Sequence, residues 1–109
     1  MVVSVKEKIT VMIKEPGENW ERREIDNTLR TFQGLVGGYI ETLHVREDLL
    51  LIVNEEGVLQ QLDPNIYMRG YWLRGTIVAV GVDGEDFADC PIHNAWQMRI
   101  ALSIANARN

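Results

Sequence analysis

The sequence predicts an α+β fold, a mainly antiparallel sheet with two helices packed on it in the order β-β-α-β-β-β-α. Three observations carry that reading. Leu49 to Val53 and Thr76 to Val82 are short runs almost free of polar side chains, the composition of central strands covered on both faces. Two other segments space their apolar residues three and four apart, as helices with a buried stripe require. Pro16-Gly17 and Arg46-Glu47-Asp48 supply the turns at which neighbouring strands reverse, and Asp83-Gly84 supplies a further turn.

At the N-terminus, Val3, Val5, Ile9, Val11 and Ile13 alternate with Ser4, Lys6, Lys8, Thr10 and Lys14, the two-residue period of a half-buried strand. Glu7 interrupts the apolar face, so Ile9 to Lys14 is the firm strand and Val2 to Val5 an added segment able to pair at an edge. Proline fixes φ and glycine accepts φ > 0, so Pro16-Gly17 turns the chain back into a second strand, Trp20 to Ile25. Its Glu21, Arg22, Arg23 and Glu24 suit a sheet edge, where charge discourages pairing with other chains.

Asp26 or Asn27 is placed to cap the first helix, whose stripe is Leu29, Phe32, Leu35 and Val36. Gly37-Gly38 closes it, since glycine reaches the left-handed conformation without a Cβ clash. The pair follows a helix, whereas a phosphate-cradling loop precedes one, so it reads as a cap. Tyr39 to Val45 pairs through Arg46-Glu47-Asp48 with Leu49 to Val53. The last helix runs from about Pro91 to Ala107, with Asp89 as its cap and Pro91 in its first turn. Ile92, Trp96, Ile100 and Ile104 follow one face of this helix, while Ala95, Met98, Leu102 and Ala105 spread over much of the rest. That apolar surface is wider than one buried stripe needs, so it predicts a homo-oligomer, most simply a dimer, with Ile92, Trp96, Ile100 and Ile104 at the interface.

Three blocks stand out: EIDNTLRTFQGLVGGYIE from Glu24 to Glu41, NEEG from Asn54 to Gly57, and DGEDF from Asp83 to Phe87. Together they resemble an uncharacterised domain-of-unknown-function family of short proteins from bacteria, largely Gram-positive, and from their phages and mobile elements. The resemblance runs from about Ile9 to Phe87, leaving residues 1–8 as an N-terminal extension and 88–109 as the C-terminal helix. It implies a genomic setting but no reaction and no ligand. Leu62, Pro64 and Asn65 also look like the family's pattern, although Ile66 stands where a basic residue commonly follows the asparagine.

With 109 residues, 46% of them hydrophobic, the chain suits one domain around a single core. Its apolar runs are far shorter than the roughly 20 residues of a membrane span, and Met1 to Val5 has no signal-peptide pattern. The expected location is cytoplasmic. The formal net charge of −5 argues against direct binding to nucleic acid, which relies on basic residues to neutralise phosphates. A single cysteine, Cys90, with His44 and His93, is too small a set for a structural zinc site. Asp83, Glu85, Asp86 and Asp89, with Glu55 and Glu56 expected at the same end of the sheet, match no complete calcium loop. Neither a metal nor a cofactor is expected.

The segment from Gly57 to Gly75 is longer than a connection between neighbouring strands needs. Val58, Leu59 and Leu62 suit one helical turn stopped by Pro64. Beyond it Asn65, Tyr67, Arg69, Tyr71, Trp72 and Arg74 interleave rings with guanidinium groups, a combination that suits a protein hot spot or stacking on a nucleotide-like ligand, and equally the start of a packed strand. Cys90 and His93 lie near a helix start, but no nucleophile, base and orienting partner form a recognisable set. The sequence thus predicts a non-enzymatic binding protein of a phage or mobile element that engages a host protein, with sequestration of a nucleotide-like small molecule as the alternative and an enzyme built on Cys90 or the acidic loop as a third.

Overall fold

Strand β1 (Lys8–Lys14) alternates its apolar side chains between two cores, and this division organises the whole molecule. The computed structural model describes residues 7–108, so the pairing expected for Val2 to Val5 lies outside the described residues. β1 runs antiparallel to the charged edge strand β2 (Glu21–Asp26), with Ile9 opposite Ile25 and Val11 opposite Arg23. After the short helix α1 (Leu29–Val36) come β3 (Ile40–Arg46), β4 (Leu49–Asn54), β5 (Pro64–Met68), β6 (Tyr71–Arg74), β7 (Ile77–Asp83), β8 (Asp86–Ala88) and helix α2 (Ala95–Ala107). The main sheet has the order β2-β1-β7-β4-β3, with β8 paired to the end of β7, while β5 and β6 make a separate two-stranded sheet.

β4 and β7 sit at the centre because both of their faces are covered. Leu50, Ile52, Val78 and Val80 join Ile9, Val11, Ile13, Ile25, Phe32 and Val36 beneath α1. Leu49, Leu51, Val53, Ile77 and Ala79 join Met12, Trp20, Met98 and Leu102 on the other face, where α2 and the β5–β6 hairpin (Met68, Leu73) share the cover. The architecture is therefore α+β and mainly antiparallel, as the sequence predicts, with a helix on each side of the sheet and three more strands, β5, β6 and β8, added to the expected order.

Both helix starts differ from expectation, for one physical reason: the anticipated caps are used in longer-range ties. Asn27 is buried, its backbone N–H donating to Glu7 O at 2.9 Å and its Nδ2 to Phe87 O at 3.1 Å. Thr28 caps α1 instead, accepting from Thr31 N at 3.2 Å. Asp89 Oδ1 accepts from Thr10 N at 2.8 Å, and Cys90 N donates to Thr10 O at 2.8 Å. That tie holds Asp89 and Cys90 alongside β1, so α2 begins later, capped by Asn94. α1 is only two turns long and buries Phe32 and Val36, with Leu29 left at its exposed margin. Phe32 meets Phe87 edge-on, ring centroids 5.2 Å apart.

These ties explain the blocks that stood out in the sequence. At the start of α1, the block beginning EIDNTL meets DGEDF through Asn27, Phe32 and Phe87. At its end, Gly37 takes φ 81° and both glycine N–H groups donate to Gln33 O. There the buried Asn54 donates to Val36 O at 3.1 Å and Gln60 Oε1 at 3.1 Å, and accepts from Glu56 N at 2.7 Å. One side chain thus satisfies a helix-end carbonyl and a turn N–H, and ties in the Gln60 side chain.

Candidate functional site: the β5–β6 hairpin

The segment read as a long excursion from Gly57 to Gly75 is largely ordered secondary structure. Hydrogen bonds from Gln60 N to Glu56 O and from Leu62 N to Gly57 O form the expected turn, with Val58 and Leu59 in solvent. The chain then alternates inward Ile66 and Met68 with outward Tyr67, reverses at Arg69-Gly70, and returns with Leu73 inward and Trp72 outward. Arg69 and Gly70 take φ of 48° and 99°, the doubly left-handed turn whose twist matches a two-residue hairpin.

Three of the six residues expected to bind a partner hold this hairpin in place. Asn65 Nδ2 donates to Lys14 O and Gly75 O, each at 2.8 Å, and its Oδ1 accepts from Lys14 Nζ at 2.7 Å. Arg69 Nη1 donates to His44 O at 2.6 Å and Nη2 to Val45 O at 3.3 Å, where the β3–β4 register shifts and leaves two β3 carbonyls on the open side. Asn106 of α2 closes the same corner, accepting from Arg69 N at 2.9 Å and donating to Tyr67 O at 3.1 Å. Arg74 Nη1 donates to Leu62 O at 3.0 Å. Burial lowers the Lys14 ammonium from its ordinary range. Both guanidinium groups are thus engaged with the chain's own carbonyls.

The other three candidates, Tyr67, Tyr71 and Trp72, stand in solvent at 46%, 55% and 51% exposure. Tyr67 and Trp72 are cross-strand neighbours with ring centroids 5.5 Å apart, tilted by 40°, a pair that orders both rings. Tyr71 and Trp72 also border a small cleft of about 100 Å³ with Val58, Glu41 and Glu55. Glu41 and Val58 carry no signal in the sequence, because only the tertiary fold brings β3 and the 56–61 turn to the hairpin.

On α2, the four residues expected at an oligomer interface divide. Trp96, Ile100 and Ile104 are exposed, whereas Ile92 is buried in the core with only a small edge left at the surface. The helix starts at Ala95, so Ile92 belongs to the extended lead-in and turns inward beside Cys90.

The remaining chemical candidates are dispersed. Cys90 is almost fully buried, and loss of solvation pushes its thiol above the ordinary value, opposite to an activated nucleophile. His93 lies on the surface. Asp83 and Glu85 lie at the end of β7 beside the start of β4, while Glu55 and Glu56 follow the end of β4, so antiparallel pairing puts them at opposite ends of the sheet. Among the described residues no three His, Cys, Asp or Glu side chains converge as metal ligands, and no helix is long and apolar enough to cross a membrane.

Comparison with known proteins places this arrangement in a family without assigning it a task. The curated proteins and the solved structures give no match. A family model described as "Domain of unknown function (DUF3846)" matches residues 9–100, from β1 to the middle of α2. With nearly all of its sheet and the whole hairpin inside that match, the chain belongs to this family of unknown function.

Proposed function

We propose that this is a non-enzymatic, cytoplasmic binding protein, carried by a phage or mobile element, that engages a host protein through the outer face of the β5–β6 hairpin. The observation that carries this reading is the exposure of Tyr67, Tyr71 and Trp72 on a hairpin pinned by Asn65, Arg69 and Arg74. Folding gains little from large rings left in water, and rigid exposed aromatics are the side chains that dominate protein hot spots. Ordering them in the free protein also lowers the entropy lost on binding. The alternative, a nucleotide-like ligand, has the rings but lacks free anion-binding groups here, since Arg69 and Arg74 already donate to backbone oxygens.

The test is affinity capture from a bacterial host lysate with the wild-type protein and with a Tyr67→Ser/Trp72→Ser variant whose thermal midpoint stays within a few degrees of wild type. The expected result is a host protein retained by the first and lost by the second. Equal capture by both removes the hairpin face as the contact, and a nucleotide-like molecule held in native mass spectrometry would favour the alternative.

A further inference from the structure

The outward ridge of α2 lies beside a groove on the same surface. Trp96, Ile100 and Ile104 are spaced four residues apart and are 66%, 43% and 51% exposed. Along the flank of the ridge, between α2 and the turn after β3, runs a groove of about 290 Å³ lined by Arg46, Pro91, Ile92, Ile100, Ala101 and Ile104. We infer that this face joins two copies of the chain across a two-fold axis at Ile100, each Trp96 filling the groove of the other copy beside Ile104.

The spacing selects that geometry. Rotation about an axis at Ile100 sets two antiparallel α2 helices against each other, so a residue four before the axis meets one four after it. The large Trp96 then faces the smaller Ile104, where the groove opens towards Arg46. An indole there would lie against the guanidinium that Asp48 already orients at 2.6 Å, an arrangement arginine and tryptophan favour. The same patch serves both copies, as an isologous contact requires.

Charge points to the same occupant. At net charge −5 two copies carry like charge overall, yet Ala95–Ala107 contains no Asp or Glu and one basic residue, Arg99. A second copy therefore approaches through this helix without bringing carboxylates together. One helix face is smaller than the roughly 800 Å² per partner of a standard interface, so the dimer should dissociate on dilution.

Sedimentation velocity across micromolar concentrations tests the geometry with Ile100→Glu and Ile100→Lys. Wild type should shift from monomer to dimer as concentration rises, and each variant alone should stay monomeric, because like charges meet on the axis. An equal mixture of the two variants should recover the dimer as a one-to-one heterodimer. Thermal midpoints of the separate variants confirm that they fold, and Trp96→Ala, remote from the axis, should also weaken the dimer at least tenfold. A monomeric wild type at high micromolar concentration, a dimer that survives either charge, or a mixture that stays monomeric would each overturn the inference.

Discussion

Replacing Arg69 separates two effects that the structure superimposes on one residue. Its guanidinium joins the hairpin tip to His44 O and Val45 O, while its backbone is held at φ 48°. A hydrogen bond involving a charged group contributes about 1.5 to 3 kcal/mol, and at this half-buried corner the lower end applies. Arg69→Ala loses that tie and keeps a Cβ in the left-handed region, where a non-glycine residue costs about 1 to 2 kcal/mol. Arg69→Gly loses the same tie and relieves the backbone, so it should be less damaging than alanine by about 1 kcal/mol after its greater unfolded-state entropy is counted. For a domain of this size 1 kcal/mol moves the thermal midpoint by about 4 °C or more. Calorimetry should therefore show a loss of about 6 °C or more for Arg69→Ala, with Arg69→Gly recovering roughly 4 °C of it. An Arg69→Ala midpoint equal to wild type would refute the tie. Equal midpoints for the two variants would refute the assignment of backbone strain.

Three further outcomes follow from the core, the exposed helix and the thiol. Phe32→Ala removes a fully buried ring that packs edge-on against Phe87 and should lower unfolding stability by about 3 to 5 kcal/mol in urea titration. Gly34 sits in the exposed interior of α1 with open space where a Cβ would point, so Gly34→Ala should raise stability by up to about 1 kcal/mol, seen as a higher urea midpoint at unchanged slope. Burial raises the Cys90 thiol pKa above its ordinary value. The folded state then holds its proton where the unfolded chain has lost it, so this contribution is complete below the unfolded pKa and declines as pH rises through the alkaline range. The stability difference between wild type and Cys90→Ala should accordingly shift against wild type above about pH 9, and a constant difference would contradict it.

How much of this was legible in the sequence depends on the range of the interaction concerned. Period and punctuation are local, so β1, the charged edge β2, the two doubly buried strands and the glycine stop of α1 could be read directly. The caps could not. Asn27 and Asp89 have the right chemistry for a helix start, and only their meetings with Phe87 and Thr10, about sixty and eighty residues away, show where they are used. The hairpin was obscured differently: Tyr67, Tyr71 and Trp72 beside two arginines read as a recognition loop, while Ile66, Met68 and Leu73 supplied the weaker strand pattern. For the candidate site, the sequence identified the rings but not the duty of their neighbours, since nothing local says that a guanidinium will meet a displaced pair of carbonyls on β3.

The central place of β7 also shapes how the chain reaches its fold. β1–β2 and β3–β4 are each local hairpins, but among the described residues the two halves of the sheet pair only through β7, which bonds β1 on one side and β4 on the other. During synthesis, both hairpins emerge before residues 77–83 exist to join them. Until then Val11 and Ile13 of one half, and Leu50 and Ile52 of the other, lack the common strand that seals them. The decisive step is therefore a late, long-range insertion between preformed partners, the slow kind of assembly that leaves apolar strand edges open to aggregation. A nascent chain ending just before Ile77 should bind chaperones strongly, and a few residues of further growth should release it.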